Sequence, residues 1–306
     1  MKLNKKTPSL VPGDKVDIVA PASGLPKEVL RKASSFLESW GLEARFPRDI
    51  LRPTRLFSNS DEKRFEFLRE ALENSESKAL WCIRGGYGSM RLLPRLEKLK
   101  IPKKQKIFIG ISDVTSLHLF LNQKWGWGTL HASLLDRPAQ GTLPLKCSKE
   151  LRRVLFGEIQ EVVFSLKPMN SLARSQEKIQ ASCVGGNLVT LQASLGTPYE
   201  IETRGKFLFI EEIGERGYRV DRIFEHLNQA NKFKDCRGLF IGHFEGGAEV
   251  TGEKVWKSVL KDWSQRLSIP VFSGIPSGHG KNLRSFPLGT RAVLDKENLS
   301  IETGIL

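Results

Sequence analysis

One serine stands where a predicted strand breaks sharply into a predicted helix. The apolar run 107–109 is followed by the Gly-Ile-Ser-Asp segment 110–113, and residues 114–121 have the pattern of a helix. Such a turn exposes a side-chain oxygen at the carboxyl edge of a sheet and directs the following N–H groups toward an anion formed beside it. The pattern indicates covalent acyl transfer by Ser112, although Ser112 or Asp113 can equally serve only as a helix cap.

A serine nucleophile needs a base, and the chain has five histidines. His118 and His226 lie inside predicted helices, where a packed or solvated ring is the commoner case. His131 and His243 end predicted strands and remain candidate bases. His279 lies between two glycines in a turn-rich loop, which suits a ring exposed to a cleft. We therefore rank His279 first.

The acid that would orient this base is expected at the end of the strand 207–210. Glu211 and Glu212 follow that strand directly, so their side chains should leave opposite faces and only one can face a given cleft. Solvation of both carboxylates remains an alternative. The order Ser112, Glu211, His279 matches the nucleophile, acid, base order of α/β-hydrolases, but chain order is a weak guide.

The first half of the chain has the alternation of strands and helices that is typical of a parallel sheet. A glycine-rich segment, 85–89, lies between a strand and a helix, where α/β sheets place ligand-binding loops. Two candidate site loops thus share one sheet edge. The elements are strand 16–20, helix 27–40, helix 62–72, strand 79–83 and helix 90–96.

The second half of the sequence predicts another α/β unit, which follows a stretch without a clear strand or helix periodicity. We interpret residues 137–178 as an interdomain linker, between an N-terminal domain at 1–136 that carries Ser112 and a C-terminal domain at 179–306 that carries Glu211 and His279. The active site would then lie at the domain interface. The later elements are strand 179–184, a Gly-Gly-Asn turn at 185–187, helix 188–195, strand 207–210, helix 218–227, strand 238–244, helix 255–267 and strand 269–272.

Composition favours a folded protein that needs no metal. The chain has 306 residues, of which 40% are hydrophobic and 27% charged, as in ordinary globular proteins. Neither a secretory signal nor an apolar run of membrane-spanning length is recognisable, so a soluble cytoplasmic protein is expected. The four cysteines are widely spaced and form no zinc-site pattern, so reduced, mostly buried thiols are expected.

The chain is strongly basic. Its 48 Lys and Arg against 34 Asp and Glu give a net charge of +14, which favours anionic partners such as nucleic acid, anionic cell-wall fragments or acidic peptides. The charge is spread along the chain, and no nucleic-acid-binding module accompanies it. Specific nucleic-acid binding is therefore disfavoured, although it stays among the alternatives.

The motifs, taken together and in order, resemble those of the LD-carboxypeptidases of the S66 serine peptidase family. That family includes murein tetrapeptide carboxypeptidase and the microcin C immunity peptidases. The resemblance spans nearly the full chain and rests on segments 12–14, 19–22, 84–88, 91–94, 110–113, 185–188, 195–198, 218–222 and 276–279, together with Glu211.

The resemblance implies a role for each matching residue. Ser112 would be the nucleophile, His279 the general base and then acid, and Glu211 the partner that orients the imidazole. The backbone N–H groups of Asp113 and Gly86 would form the oxyanion hole. One departure is an isoleucine at 111, where many relatives have an aromatic residue, and this can alter the pocket wall.

The resemblance also implies a substrate. Members of the family release the terminal D-alanine from the tetrapeptide stem of peptidoglycan, so a muropeptide partner, no cofactor, no metal and a homodimer are expected. Arg84 is a candidate contact for the terminal carboxylate and Tyr87 a candidate pocket wall, although Arg84 can equally be a structural anchor. Three alternatives remain: amide hydrolysis of a peptidyl-nucleotide, a non-catalytic muropeptide-binding protein and a nucleic-acid binder.

Overall fold

Two β-sheets organise the fold, one of six strands and one of eight. The computed structural model describes residues 6–175 and 177–306. The strands are β1 Lys15–Val19, β2 Glu43–Arg45, β3 Ser77–Cys82, β4 Ile107–Gly110, β5 Thr129–His131, β6 Glu161–Ser165, β7 Lys167–Pro168, β8 Ile179–Asn187, β9 Phe207–Ile213, β10 Gly238–Glu245, β11 Val271–Ser273, β12 Phe286–Leu288, β13 Arg291–Asp295 and β14 Asn298–Glu302.

The helices lie between the strands, and those outside residues 136–175 are at nearly the positions that the apolar periodicity predicts, whereas the three inside that stretch were not predicted. They are α1 Lys27–Ser39, α2 Asp61–Glu73, α3 Leu93–Leu96, α4 Thr115–Lys124, α5 Asp136–Ala139, α6 Leu145–Leu155, α7 Ser171–Ser175, α8 Leu188–Ser194, α9 Gly217–Gln229 and α10 Trp256–Arg266. Two 3-10 helices, Ser89–Leu92 and Ser112–Val114, precede α3 and α4. No helix in the described part of the chain is both long and apolar enough to span a membrane.

The six-stranded sheet and its helices form the N-terminal lobe. Its strand order is β12-β5-β4-β3-β1-β2, and β1 to β5 pair in parallel. The first strand in this order, β12, comes from the far end of the chain and pairs antiparallel with β5. The predicted parallel α/β unit is therefore confirmed. Sequence reasoning did not foresee that a C-terminal strand completes it.

The eight-stranded sheet and its helices form the C-terminal lobe. Its strand order is β6-β14-β13-β8-β9-β10-β11-β7. The central strands β8 to β11 pair in parallel, and the outer strands pair antiparallel. The sheet is therefore mixed, and the prediction of a two-domain α/β protein is confirmed.

The segment 137–178 contains regular structure that belongs to the C-terminal sheet. Strand β6 pairs with β14 and strand β7 pairs with β11, so this segment supplies both edges of the eight-stranded sheet. In β6, Val162 and Phe164 are buried between exposed neighbours, which is the alternation expected of an edge strand with one covered face. Where one domain ends and the other begins remains a prediction.

The predicted turn at 185–187 is wrong, because β8 continues through both glycines to Asn187. Gly185 has φ 136°, and a Cβ there would lie 1.9 Å from the carbonyl oxygen of Phe209. At Gly186, with φ 138°, a Cβ would lie 2.5 Å from the hydroxyl of Thr115. The glycines are needed because β9 and α4 approach the strand closely.

We expect Gly185→Ala to destabilise the protein more than Gly205→Ala does. Both glycines have positive φ, but a Cβ at Gly205 has nothing within 4 Å. The control should therefore cost only the left-handed backbone strain, about 1–2 kcal/mol, whereas Gly185→Ala adds a backbone clash of typically another 1–3 kcal/mol. Thermal unfolding of the two variants measures the difference, and equal losses would contradict this account of β8.

Candidate active site

Ser112 occupies a strained turn between β4 and α4. Its φ is 69°, in a left-handed region that residues with a Cβ adopt only at an energetic cost. The turn leaves the serine partly exposed, while the flanking Ile111 and Asp113 are buried. A Cβ on Gly85 would lie 2.8 Å from the Ser112 Cβ, so the glycine loop, residues 85–89, packs directly on this serine. The predicted strand-to-helix turn is confirmed.

The buried carboxylate of Asp113 ties the glycine loop to this turn. It accepts hydrogen bonds from the N–H groups of Gly88 at 3.1 Å and Ser89 at 2.8 Å. The Ser89 hydroxyl donates back to the Asp113 carbonyl at 2.7 Å. For Asp113, sequence reasoning considered a helix cap or a backbone N–H in the oxyanion hole. The side chain is a positioning group that it missed, because its partners lie 24 and 25 residues earlier in the chain.

Ser23 holds the other side of the glycine loop. Its N–H donates to the Gly85 carbonyl at 3.1 Å, and its hydroxyl accepts the Tyr87 N–H at 3.1 Å. A Cβ on Gly86, whose φ is 97°, would lie 2.4 Å from the Ser23 hydroxyl. Only glycine fits there. The loop is therefore fixed from two sides, with Gly86 exposed at its tip.

A short hydrogen bond joins the predicted acid to the predicted base. His279 Nδ1 lies 2.6 Å from Glu211 Oε2, and the Glu211 side chain is fully buried while His279 keeps 16% exposure. Gly278, with φ 116°, makes this approach possible, since a Cβ there would lie 2.6 Å from the same carboxylate oxygen. A glycine is therefore required before His279, because a larger residue there would clash with the Glu211 carboxylate.

The two groups shift each other's pKa values. Burial is the largest effect and alone would raise the pKa of Glu211, but the facing charge of His279, its hydrogen bond and the neighbouring His131 ring together outweigh burial and hold this pKa at about 2. Burial is also the largest effect on His279 and acts to lower its pKa, but the charge and hydrogen bond of Glu211, with a smaller contribution from the charge of Glu212, together outweigh burial, so this pKa lies above its ordinary value. The carboxylate therefore stays ionised across the physiological pH range and favours a proton on the imidazole.

Glu212 faces away from this pair, as the strand geometry predicts. It accepts hydrogen bonds from the Asn187 amide at 3.1 Å and from the Val189 N–H at 2.8 Å, so it holds the start of α8. Burial raises its pKa to about 7. The alternative in which both glutamates are solvated is wrong, because Glu211 and Glu212 are 0% and 3% exposed.

The other histidines occupy different places. His118 is buried and bonded to Thr129 Oγ1 at 2.8 Å and to the Gly110 carbonyl at 2.9 Å, and burial lowers its pKa to about 3. It is a packed ring, as expected. His226 lies on α9 and contacts Gln192 at 3.1 Å. His243 Nδ1 accepts the Gly280 N–H at 3.2 Å, beside the base.

Three contacts join the lobes around the site. The Asn187 N–H donates to Thr115 Oγ1 at 3.0 Å, one turn beyond Ser112. Arg137 donates to the carbonyls of Gly280 at 3.2 Å and Lys281 at 3.3 Å, next to His279. His131, buried at the end of β5, has its Nδ1 3.3 Å from the hydroxyl of Ser277, two residues before His279.

No direct hydrogen bond between Ser112 and His279 is among these contacts. Among the hydrogen bonds of residues 6–175 and 177–306, none joins Ser112 to His279. A complete triad therefore remains a prediction. What the structure contains is the acid–base pair and, at the lobe interface, the strained serine turn.

The candidate substrate-binding residues flank the glycine loop. Arg84 is exposed just beyond β3 and lies near Asp136. Burial raises the pKa of Asp136, and the charge of Arg84 partly offsets this rise. Tyr87 is 45% exposed, with its ring 5.6 Å from that of Phe57. Both are open to a ligand, and their roles remain predictions. In the described ranges, no group of three or more His, Cys, Asp or Glu is arranged to hold a metal ion.

Comparison with known proteins gives the family. Residues 16–132 match the LD-carboxypeptidase N-terminal domain of the S66 peptidases, and residues 180–294 match the LD-carboxypeptidase C-terminal domain. The chain therefore belongs to the S66 LD-carboxypeptidase family, as the sequence motifs indicate.

Relatives cover almost the whole chain. A Bacillus subtilis protein named "Probable murein peptide carboxypeptidase" is 33% identical over 99% of this chain and 96% of its own. The murein tetrapeptide carboxypeptidase of Pseudomonas aeruginosa is 27% identical over 93% and 94%. The crystal structure of muramoyltetrapeptide carboxypeptidase from Oxalobacter formigenes has a TM-score of 0.81 and 29% identity, over 94% of this chain and 98% of that one.

We expect the pKa of His279 to depend on the charge of Glu211. An NMR titration of the ring should give a value above the ordinary 6.5, and Glu211→Gln should bring it below 6.5 because burial, the largest effect, is then opposed only by the smaller effect of the Glu212 charge. Glu225→Gln removes a surface carboxylate on α9 and is the matched control. A His279 pKa that is the same in the wild type and in Glu211→Gln would rule out the pair.

Proposed function

We propose that this protein is a serine L,D-carboxypeptidase that removes the terminal D-alanine from murein tetrapeptides in cell-wall recycling. The observation that carries the proposal is the buried Glu211–His279 pair, with Nδ1 and Oε2 2.6 Å apart, at a lobe interface that also holds the strained Ser112. The substrate is suggested by the names of the B. subtilis, P. aeruginosa and O. formigenes relatives.

In the acylation step, Ser112 Oγ attacks the carbonyl carbon of the L,D-amide bond. His279 takes the hydroxyl proton through Nε2 and then delivers it to the nitrogen of the departing D-alanine. This requires His279 to approach Ser112 when substrate is bound, and catalytic hydrogen bonds that are long in free enzymes commonly shorten at that stage. The product is an ester between Ser112 and the shortened stem peptide.

The developing oxyanion would be held by the backbone N–H groups of Gly86 and Asp113. Asp113 and Ser23 fix the glycine loop from two sides, so the N–H of Gly86 needs little rearrangement. Such preorganised donors are worth roughly 3 kcal/mol each in comparable sites. The Asp113 side chain would thus support the same oxyanion that its N–H binds.

In the deacylation step, water replaces the amine. His279 takes a proton from the water, the resulting hydroxide attacks the ester carbonyl, and the proton passes to Ser112 Oγ as the acid product leaves. Glu211 keeps its negative charge in both steps, because its pKa of about 2 prevents it from accepting the proton. Its role is to orient and stabilise the imidazolium.

Recognition of the substrate is proposed to use charge. An exopeptidase must bind the terminal carboxylate, and the exposed Arg84 next to the glycine loop is the candidate cation, with Tyr87 at the pocket wall. The net charge of +14 favours an acidic stem peptide in the same way.

We expect Ser112→Ala to abolish D-alanine release, by roughly 10⁴-fold or more, because the nucleophile is lost. Mass spectrometry of a digested muropeptide tetrapeptide follows the product, and a tetrapeptide ending in L-alanine should not be cleaved. Ser258→Ala, on the exposed side of α10, is the control and should match the wild type.

Turnover by Ser112→Ala would refute the assigned nucleophile. A wild-type protein that binds the tetrapeptide tightly but releases no D-alanine would instead favour the non-catalytic binding protein.

A further inference from the structure

The second oxygen of the buried Glu211 carboxylate has no hydrogen-bond donor. In the described part of the chain, Glu211 Oε1 and His131 Nε2 are both buried and unbonded, and they face each other 3.9 Å apart. An ionised oxygen left without a donor in the interior is costly. The pair is therefore a buried acceptor and a buried potential donor, each without another partner.

The surroundings of His131 favour a proton on Nε2. The ring is fully buried at the end of β5, with Nδ1 3.3 Å from the Ser277 hydroxyl. It packs edge-on against Phe209 with centroids 5.1 Å apart, and the ring of His118 lies 6.2 Å away. When the Ser277 hydroxyl donates to Nδ1, the ring carries a proton on Nε2, which faces the carboxylate.

We propose that His131 is a positioning residue that donates its Nε2 proton to Glu211 Oε1. The carboxylate is then held between two imidazoles, His131 from the N-terminal lobe and His279 from the C-terminal lobe. The separation of 3.9 Å closes to an ordinary hydrogen bond of about 2.9 Å with a shift of about 1 Å. The inference rests on the catalytic triad proposed above.

Two donors would fix the plane of the carboxylate. With only His279 as donor, Glu211 can rotate about its terminal bond, and the imidazole that it holds can tilt with it. With His131 on Oε1, Oε2 stays directed at His279 Nδ1. His131 touches neither substrate nor the reacting atoms and acts through Glu211.

His118 shows what a merely structural histidine looks like in this lobe. It is equally buried, but both its nitrogens are bonded to neutral groups, Thr129 Oγ1 and the Gly110 carbonyl. The Nε2 of His131 faces a catalytic carboxylate instead. Packing alone does not explain why the unbonded nitrogen of His131 faces the one oxygen of the Glu211 carboxylate that lacks a hydrogen bond.

The kinetic test compares His131→Leu with His131→Gln. Leucine fills much of the space but has no donor, whereas the glutamine amide can reach the position of Nε2. We expect His131→Leu to lower kcat by about 10- to 100-fold, the effect of losing one hydrogen bond to a charged group, with KM nearly unchanged. The acid limb of kcat/KM should move to higher pH, because the undercoordinated Glu211 attracts the His279 proton more strongly.

His131→Gln should restore most of kcat and return the acid limb toward the wild-type position. A folded His131→Leu protein with wild-type kcat and pH profile would overturn the proposal. Equal impairment of the Leu and Gln variants would do the same, because it would point to packing and not to the donor.

A second measurement needs neither a variant nor a substrate. Nitrogen NMR of the histidine-labelled wild type reports which ring nitrogen of His131 carries the proton, and we expect Nε2. A proton on Nδ1 alone would overturn the proposal even if His131→Leu does not fold. Absence of D-alanine release by the wild type would count against the proposed function, while the tautomer of His131 would still be measured.

Discussion

The buried hydrogen bond between Glu211 and His279 is the constraint on which the rest of the site depends. A carboxylate with no solvent exposure is stable only when a positive or donating partner compensates for its lost hydration. His279 is that partner, at 2.6 Å. Gly278 has no Cβ because the carboxylate occupies that space, and Glu212 on the opposite face secures the neighbouring helix α8. The sheet edge is therefore built around one buried hydrogen bond.

The two lobes would supply different parts of the proposed chemistry. The N-terminal lobe holds a strained serine and a glycine loop that Asp113 fastens to it, and the C-terminal lobe holds Glu211 and His279. The close approach of β8 to α4, possible because Gly186 has no side chain, brings the lobes together one turn beyond Ser112. Strand β12 also connects the lobes, because it belongs to the C-terminal half of the chain but pairs with β5 of the N-terminal lobe.

Local patterns were enough to predict the strand-to-helix turn at Ser112 and the opposite faces of Glu211 and Glu212, because both follow from residues adjacent in sequence. The order of the motifs was enough to identify the family. Long-range contacts were not accessible in this way. The strand through Gly185 reads as a turn until the Phe209 carbonyl beside it is known, and the role of the Asp113 side chain depends on a loop 24 or 25 residues away.

The most direct test of the central claim asks whether the serine of one lobe depends on the acid–base pair of the other. A fluorophosphonate probe reacts with serines that a base activates, and peptide mapping identifies the labelled residue. We expect rapid labelling of Ser112 alone in the wild type, near-complete loss in His279→Ala and a strong reduction in Glu211→Gln, with all proteins folded. Labelling of Ser112 at the same rate in all three proteins would show that the serine does not depend on this pair.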